Sequence, residues 1–257
     1  MKLILTWLLF IGVIAVNALA NILPINGYNT GQIAAFYPNR FVPAGFTFSI
    51  WGVIYSLLLI YTITYSYFII RRNSKKEVIE YINKVHPYYL LTCVFNMAWI
   101  IAWHYLQIEA SVVIMLLFLS TLIQLFSKSR SHVDLLIKTE QFLLNTPFIV
   151  YLGWISVATI ANITALCVAY QWGGFGIDPV YWSAIMISIA SFIGIVFIRK
   201  YKSIAFPSVL IWALMGINVS QGKNHPILFS VSFIAIVYLF LMTSITLYYN
   251  YKKNKIA

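Results

Sequence analysis

The sequence predicts an all-α integral membrane protein with about eight transmembrane helices. Of its 257 residues, 61% are hydrophobic and only 9% are charged, and the mean hydropathy is +0.86. Soluble domains carry roughly a quarter charged residues and under half apolar residues. The apolar residues also fall into runs of about 20, the length of a helix that crosses the hydrocarbon core. We therefore expect a multi-pass protein embedded in the lipid bilayer.

Eight apolar segments follow one another along the chain, separated by breaks that contain charged residues, Gly or Pro. The seventh is short, and the start of the fifth is poorly marked. The break at 75–84 is interpreted as a solvated connector, with a short interfacial helix as the alternative. The segments are residues 3–22, 46–70, 87–106, 110–126, 141–170, 179–198, 204–219 and 226–249.

Basic residues are concentrated in alternate breaks. Of the 17 Lys and Arg residues, only Arg40 and Lys223 lie on one predicted side; the others, including Arg71, Arg72, Lys253 and Lys255, lie on the opposite side. This asymmetry follows the positive-inside rule and places both termini in the cytoplasm, with a bacterial inner membrane as the expected location. It also explains the formal charge of +11 without nucleic acid as a partner.

The start of the chain has two interpretations. Residues 3–16 form an apolar core, and Ala18, Leu19 and Ala20 resemble a signal-peptidase site. Cleavage there would leave seven helices and an N-terminus on the outside. Retention of the first helix is favoured because the positive start consists of Lys2 alone.

The break at 22–45 is the longest on the predicted outer side. Pro and Gly residues recur along it, and Phe36, Tyr37 and Phe41 provide side chains that can pack. This composition is typical of an ordered loop rather than a flexible linker. We expect it to form a lid.

The sequence lacks phosphate-binding, dinucleotide-binding and nucleophile motifs, so no catalytic residue and no metal ligand is predicted. The four histidines lie at segment ends or in breaks and are expected to be solvated or interfacial. Cys93 and Cys167 lie in apolar segments and are interpreted as packing residues. The protein is therefore not expected to be an enzyme. The histidines are His86, His104, His132 and His225.

Three segments carry aromatic and polar side chains at helical spacing, so that each set lies on one helix face. An amide in hydrocarbon is costly without a partner, which favours faces that point into the bundle. Indole and phenol rings around a few polar groups suit a flat, largely apolar ligand. The alternative is that the rings form interface belts and the amides join helices. The stripes are Trp51, Tyr55, Thr62 and Tyr65; Asn96, Trp99 and Trp103; and Tyr151, Trp154, Ala158 and Asn162.

These residues resemble motifs of the TspO/MBR family, the tryptophan-rich sensory proteins and the mitochondrial translocator protein. Pro43, Trp51 and Tyr55 match the spacing at its second helix. Asn96 and Trp99 match its third helix, and the fifth-helix pattern is matched in register by Tyr151, Leu152, Trp154, Ala158, Thr159 and Asn162. The resemblance covers residues 3–170. The chain departs from the family pattern at Gly45, Phe48, Ser49, Thr92 and Val150.

The resemblance implies a five-helix unit at residues 1–171 and an additional three-helix extension at 172–257. It also implies a tetrapyrrole or sterol-like ligand, a sensor or transporter role, and a homodimer. No cofactor is required, and a porphyrin or haem-like molecule is the expected ligand type. Two alternatives stay open: a transporter of an unrelated substrate that uses all eight helices, and a porphyrin-modifying membrane enzyme. The implied binding residues are Pro43, Trp51, Tyr55, Asn96, Trp99, Tyr151, Trp154 and Asn162.

Overall fold

The computed structural model describes residues 1–71 and 74–256; for residues 253–256 it describes the backbone alone. Within this part of the chain there is no strand, and seven helices are long and apolar enough to cross a membrane. An eighth apolar helix, Ala205–Gln221, is shorter. The predicted all-α membrane fold is therefore confirmed. Arg72 and the side chains of Lys253 and Lys255, which belong to the predicted charge asymmetry, lie outside the described part.

Ten α-helices are present in the described residues, and each predicted apolar segment corresponds to one of them or, for the fifth, to two. They are α1 (Lys2–Ile22), α2 (Thr30–Ala35), α3 (Ile50–Ile70), α4 (Lys76–His104), α5 (Ile108–Arg130), α6 (Lys138–Leu144), α7 (Thr146–Ala169), α8 (Pro179–Tyr201), α9 (Ala205–Gln221) and α10 (Pro226–Ile256).

The chain forms two compact units. The first comprises Met1–Phe36 and Ser49–Ile155, and the second comprises Tyr37–Phe48 and Ser156–Ala257. This division differs from the predicted boundary after residue 171 because it falls inside α7 and assigns part of the outer loop to the second unit. The hydrogen bonds of that loop segment to α9, given below, are the physical reason.

In the first unit, α4 packs against α1 and α5, and α1 also packs against α3. The short helix α2 begins with a capping box in which Asn29 Oδ1 accepts from the Gln32 N–H at 2.9 Å and Gln32 Oε1 accepts from the Asn29 N–H at 2.8 Å. Such reciprocal bonds satisfy N–H groups that a helix start otherwise leaves unpaired. The outer loop therefore carries ordered structure in this segment.

The interpretation of residues 75–84 as a solvated connector is wrong. Helix α4 runs without interruption from Lys76 to His104 and contains Pro87 in its interior. Proline at a helix start is favourable, which is why the sequence indicated that the segment began at Pro87. Val78, Tyr81 and Ile82 are buried, so this first part of α4 has an apolar face that packs within the protein.

In the second unit, the three helices α8, α9 and α10 all pack against one another. Gly194 permits close approach, since a Cβ there would lie 2.8 Å from Leu210 Cδ1 and 3.0 Å from Leu239 Cδ2. Phe197 and Phe206 stack with their ring centroids 3.8 Å apart. These contacts join all three helices through one apolar core.

The loop segment Tyr37–Phe48 docks on α9 within this unit. The Ala44 N–H donates to the Gly216 carbonyl at 3.0 Å, and Trp212 Nε1–H donates to the Thr47 carbonyl at 2.9 Å. Phe46 meets the Trp212 ring edge to face at 5.4 Å. The absence of a side chain at Gly216 allows the loop backbone to come this close.

We expect Gly216→Ala to destabilise the second unit by about 1–3 kcal/mol, the usual cost of overpacking. A Cβ at this position would overlap with Thr47 Oγ1 and lie 3.0 Å from Pro43 Cβ. The measurement is the midpoint of thermal unfolding in detergent. Gly52→Ala is the matched control, because nothing lies within 4 Å of a Cβ there. Equal midpoints for the two variants would contradict the described docking.

Candidate functional site

Trp51 lies at the centre of an aromatic cluster formed by α3, α4 and α7. Its ring stacks on Tyr55 with centroids 5.4 Å apart and on Trp99 at 6.5 Å. It meets Tyr151 at 6.1 Å and Trp154 at 6.0 Å, both edge to face. Trp99, Tyr151 and Trp154 are buried, whereas Trp51 and Tyr55 are half-buried. We call these five residues the Trp51 cluster.

Helix periodicity explains why the rings contributed by each helix lie on one face. Residues three or four apart lie on the same face of a helix, as Trp51 and Tyr55 do on α3. Asn96 and Trp99 share a face of α4, and Tyr151 and Trp154 share a face of α7. Stacked and edge-to-face pairs at these separations are the favoured geometries of aromatic rings.

A ladder of hydrogen bonds runs beside the rings. Asn17 Nδ2 on α1 donates to Asn96 Oδ1 at 2.7 Å and to the Val13 carbonyl at 2.9 Å. Asn96 Nδ2 then donates to the Tyr151 hydroxyl at 2.8 Å. All three side chains are buried. The ladder therefore gives the Asn96 amide one defined orientation, with its oxygen toward α1 and its nitrogen toward α7.

The Tyr55 hydroxyl oxygen is also buried. It lies near the Asn96 and Tyr151 side chains. It has no hydrogen-bond partner of normal geometry among the described residues. The site thus combines an amide held by two hydrogen bonds with a hydroxyl that forms none with the described residues.

The structure brings together most of the predicted binding residues. Trp51, Tyr55, Asn96, Trp99, Tyr151 and Trp154 all lie in the first compact unit and contact one another as described. Pro43 and Asn162 are buried but belong to the second compact unit. Their participation in the site stays a prediction.

Two residues of the site were missed by the sequence-based prediction. Asn17 and Asn21 are the two amides of the first apolar segment, and Asn17 lies farther from its end. An amide at this depth was the signal that could have identified it. Trp103 was recognised as part of a stripe but not as a site residue. Its ring stacks on Trp99 at 5.9 Å, and its Nε1–H donates to the Thr30 carbonyl of α2 at 3.3 Å.

The expectation that His86 is solvated or interfacial is wrong. Its side chain is buried, and the residue lies within α4 rather than at a helix end. Thr6 donates its hydroxyl hydrogen to the Lys2 carbonyl at 2.8 Å, so its oxygen accepts from His86 Nε2–H at 3.0 Å. His86 Nδ1 therefore accepts from the Tyr61 hydroxyl at 3.1 Å. Tyr65 stacks on the imidazole with centroids 3.8 Å apart. For the neutral ring, the local network thus selects the tautomer with its hydrogen on Nε2.

The same expectation is wrong for His104, which is fully buried at the end of α4. Its Nδ1–H donates to the Ile25 carbonyl at 3.2 Å, and its Nε2 accepts from the Thr30 hydroxyl at 3.1 Å. Asn26 Nδ2 also donates to the His104 carbonyl at 3.1 Å. His104 therefore attaches the loop that contains α2 to helix α4.

The side chains of the Trp51 cluster and its ladder offer stacking surfaces and hydrogen bonds. They comprise indoles, phenols and amides, with no carboxylate or imidazole that could transfer a proton near neutral pH. Within residues 1–71 and 74–256, no group of three His, Cys, Asp or Glu side chains could hold a metal ion. The chemistry of this site is suited to recognition of a ring system.

The fold and the site define a multi-pass helical membrane protein with an aromatic and amide cluster among its helices. The model of the family described as TSPO-like protein matches residues 3–245. The chain belongs to this family. The match includes α8, α9 and most of α10, which the motif resemblance did not reach. Searches of curated proteins and of solved structures found no significant match.

Proposed function

We propose that the Trp51 cluster binds a flat, largely hydrophobic small molecule and that the protein serves as a membrane sensor or transporter of it. A tetrapyrrole, such as a porphyrin or haem-like molecule, and a sterol-like molecule are the two ligand types. The observation that carries the proposal is the position of Trp51, which is half-buried among four other rings beside the Asn17–Asn96–Tyr151 ladder.

Aromatic rings suit this ligand class for two reasons. They bury large apolar areas, and their quadrupoles favour stacking on another flat ring system. Trp51 and Tyr55 are both half-buried, and their rings stack on each other. A planar ligand that covers them would extend an existing stack, while the amide ladder would remain beside its edge.

The proposed orientation places both termini in the cytoplasm, and the proposed location is a bacterial inner membrane. The concentration of Lys and Arg in alternate breaks supports the orientation. In this orientation α2 and the end of α4, joined through His104, lie on the outer side. The ligand would then enter from the outer side or from the outer half of the bilayer.

The site supports binding more strongly than a transport path through all eight helices. Such a path would use the polar residues of α9, of which Asn218 is the most prominent. Asn218 Nδ2 donates to Ser232 Oγ at 2.8 Å and to the Phe229 carbonyl at 3.1 Å. These bonds join α9 to α10, which supports a structural role for this amide.

The proposal is tested by titrating protoporphyrin into the purified full-length protein and following porphyrin fluorescence. We expect saturable binding of one porphyrin per chain. A flat steroid, cholest-4-en-3-one, should displace it completely if both ligand types use the Trp51 cluster. Binding that does not saturate, or a porphyrin that the steroid never displaces, would contradict the proposal of one shared site.

A further inference from the structure

The hydrogen-bond ladder also defines which polar group of a ligand the site accepts, an inference that rests on the proposed function. Asn17 holds Asn96 Oδ1 on the α1 side at 2.7 Å. The Asn96 amide therefore presents its NH2 group toward the phenols. One of the two amide hydrogens is donated to the Tyr151 oxygen at 2.8 Å. Tyr151 thus acts as an acceptor toward the protein.

A phenol that accepts through its oxygen keeps one O–H hydrogen to donate. For Tyr151 this hydrogen has no acceptor within hydrogen-bond geometry among the described residues. Tyr55 is in a similar situation, since its hydroxyl lies beside the Asn96 amide. It is buried and makes no hydrogen bond of normal geometry with a described residue. Two phenolic O–H donors therefore lie beside the Asn96 amide, and one of them, Tyr55, belongs to the Trp51–Tyr55 stack.

We propose that Tyr55 and Tyr151 form a two-donor site that selects flat ligands carrying a carbonyl oxygen. A ketone or lactam oxygen has two lone pairs and no hydrogen of its own, so it can accept from both phenols. A hydroxyl in the same place brings a hydrogen that needs a further acceptor. A buried donor or acceptor that stays unpaired costs more than a normal hydrogen bond contributes.

The ligand group that suits these donors is an uncharged carbonyl rather than a carboxylate. Taking a carboxylate out of water is costly unless a positive charge or several hydrogen bonds compensate. The side chains that the structure shows around this part of the site are Asn17, Cys93, Asn96 and aromatic rings, and none of them is a cation. Among the flat ligands of the proposed class, those with a ketone or lactam carbonyl on the edge that reaches Tyr55 are therefore preferred.

The test compares a ketone with its alcohol on one skeleton. Cholest-4-en-3-one and cholest-4-en-3β-ol are each used to displace protoporphyrin from the full-length protein. We expect the ketone to bind about five- to tenfold more tightly, the range that one hydrogen bond supplies. In Tyr55→Phe the preference should fall below about twofold. In Tyr105→Phe, a control whose side chain is 56% exposed, it should be unchanged.

A stability measurement separates recognition from folding. Because the Tyr55 hydroxyl makes no hydrogen bond of normal geometry with the described residues, Tyr55→Phe should leave the thermal unfolding midpoint of the ligand-free protein unchanged or raise it. A lowered midpoint would show that the hydroxyl supports the fold and would overturn the inference. Equal affinities for ketone and alcohol, or a preference that survives Tyr55→Phe, would overturn it while the proposed function stands. No binding of either steroid or of protoporphyrin would overturn both.

Discussion

Replacing Asn96 by leucine is expected to destabilise the first compact unit by breaking two buried hydrogen bonds. It removes the acceptor of Asn17 Nδ2 and the donor to the Tyr151 hydroxyl, two bonds of 2.7 and 2.8 Å. A buried polar group left unpaired costs about 1–3 kcal/mol. Polar pairs in membranes contribute less, about 0.6 kcal/mol on average. We expect a loss of about 2 kcal/mol in the free energy of unfolding, measured by denaturant titration in detergent.

Asn21→Leu is the matched control for this substitution. Asn21 Nδ2 donates only to the Asn17 carbonyl of its own helix, and the side chain is exposed. Its replacement should change the free energy of unfolding by less than about 0.5 kcal/mol. The double variant Asn17→Leu/Asn96→Leu removes both partners of one bond and should lose less than the sum of the single changes. Strict additivity would contradict the ladder.

Removing two indoles from the Trp51 cluster should have the largest effect on ligand binding. In Trp51→Ala/Trp154→Ala the central ring and one of its edge-to-face neighbours are lost. Stacking of a flat ring on an aromatic side chain contributes about 1–3 kcal/mol. We therefore expect the dissociation constant of protoporphyrin to rise by about ten- to a hundredfold, measured by porphyrin fluorescence.

Two controls accompany the double variant. Trp172→Ala removes an indole that is 44% exposed and contacts Phe175 and Trp182, so porphyrin affinity should stay within about twofold of wild type. Trp51→Phe/Trp154→Phe keeps two rings and should retain most of the affinity. If the alanine double variant binds protoporphyrin as tightly as wild type, the Trp51 cluster is not the binding site.

The residues of the site could be predicted where they recur at helical spacing within one helix. Trp51 and Tyr55, like Tyr151 and Trp154, are placed on one helix face by spacing alone. Asn17 could not be found in this way because its partner, Asn96, is distant in sequence and α1 carries no aromatic stripe. Its role depends on how α1 packs against α4, which periodicity within either helix does not specify.

The sequence predicted the number of apolar helices correctly, but it predicted the residues at which they begin and end less accurately. Pro87 indicated a helix start, yet α4 continues through it because the residues before it also bury an apolar face. The burial of His86 follows directly from this longer helix. The docking of the outer loop on α9 was not predictable from periodicity, since it depends on close backbone approach at Gly216.

Photolabelling with mapping by mass spectrometry tests the central claim most directly. A diazirine derivative of cholest-4-en-3-one is crosslinked to the reconstituted full-length protein with and without excess protoporphyrin. We expect label on the segments of α3, α4 and α7 that contain Trp51, Trp99 and Trp154, and we expect protoporphyrin to suppress it. Label confined to α8, α9 and α10, or label on the Trp51 cluster that protoporphyrin does not suppress, would contradict the proposed binding site.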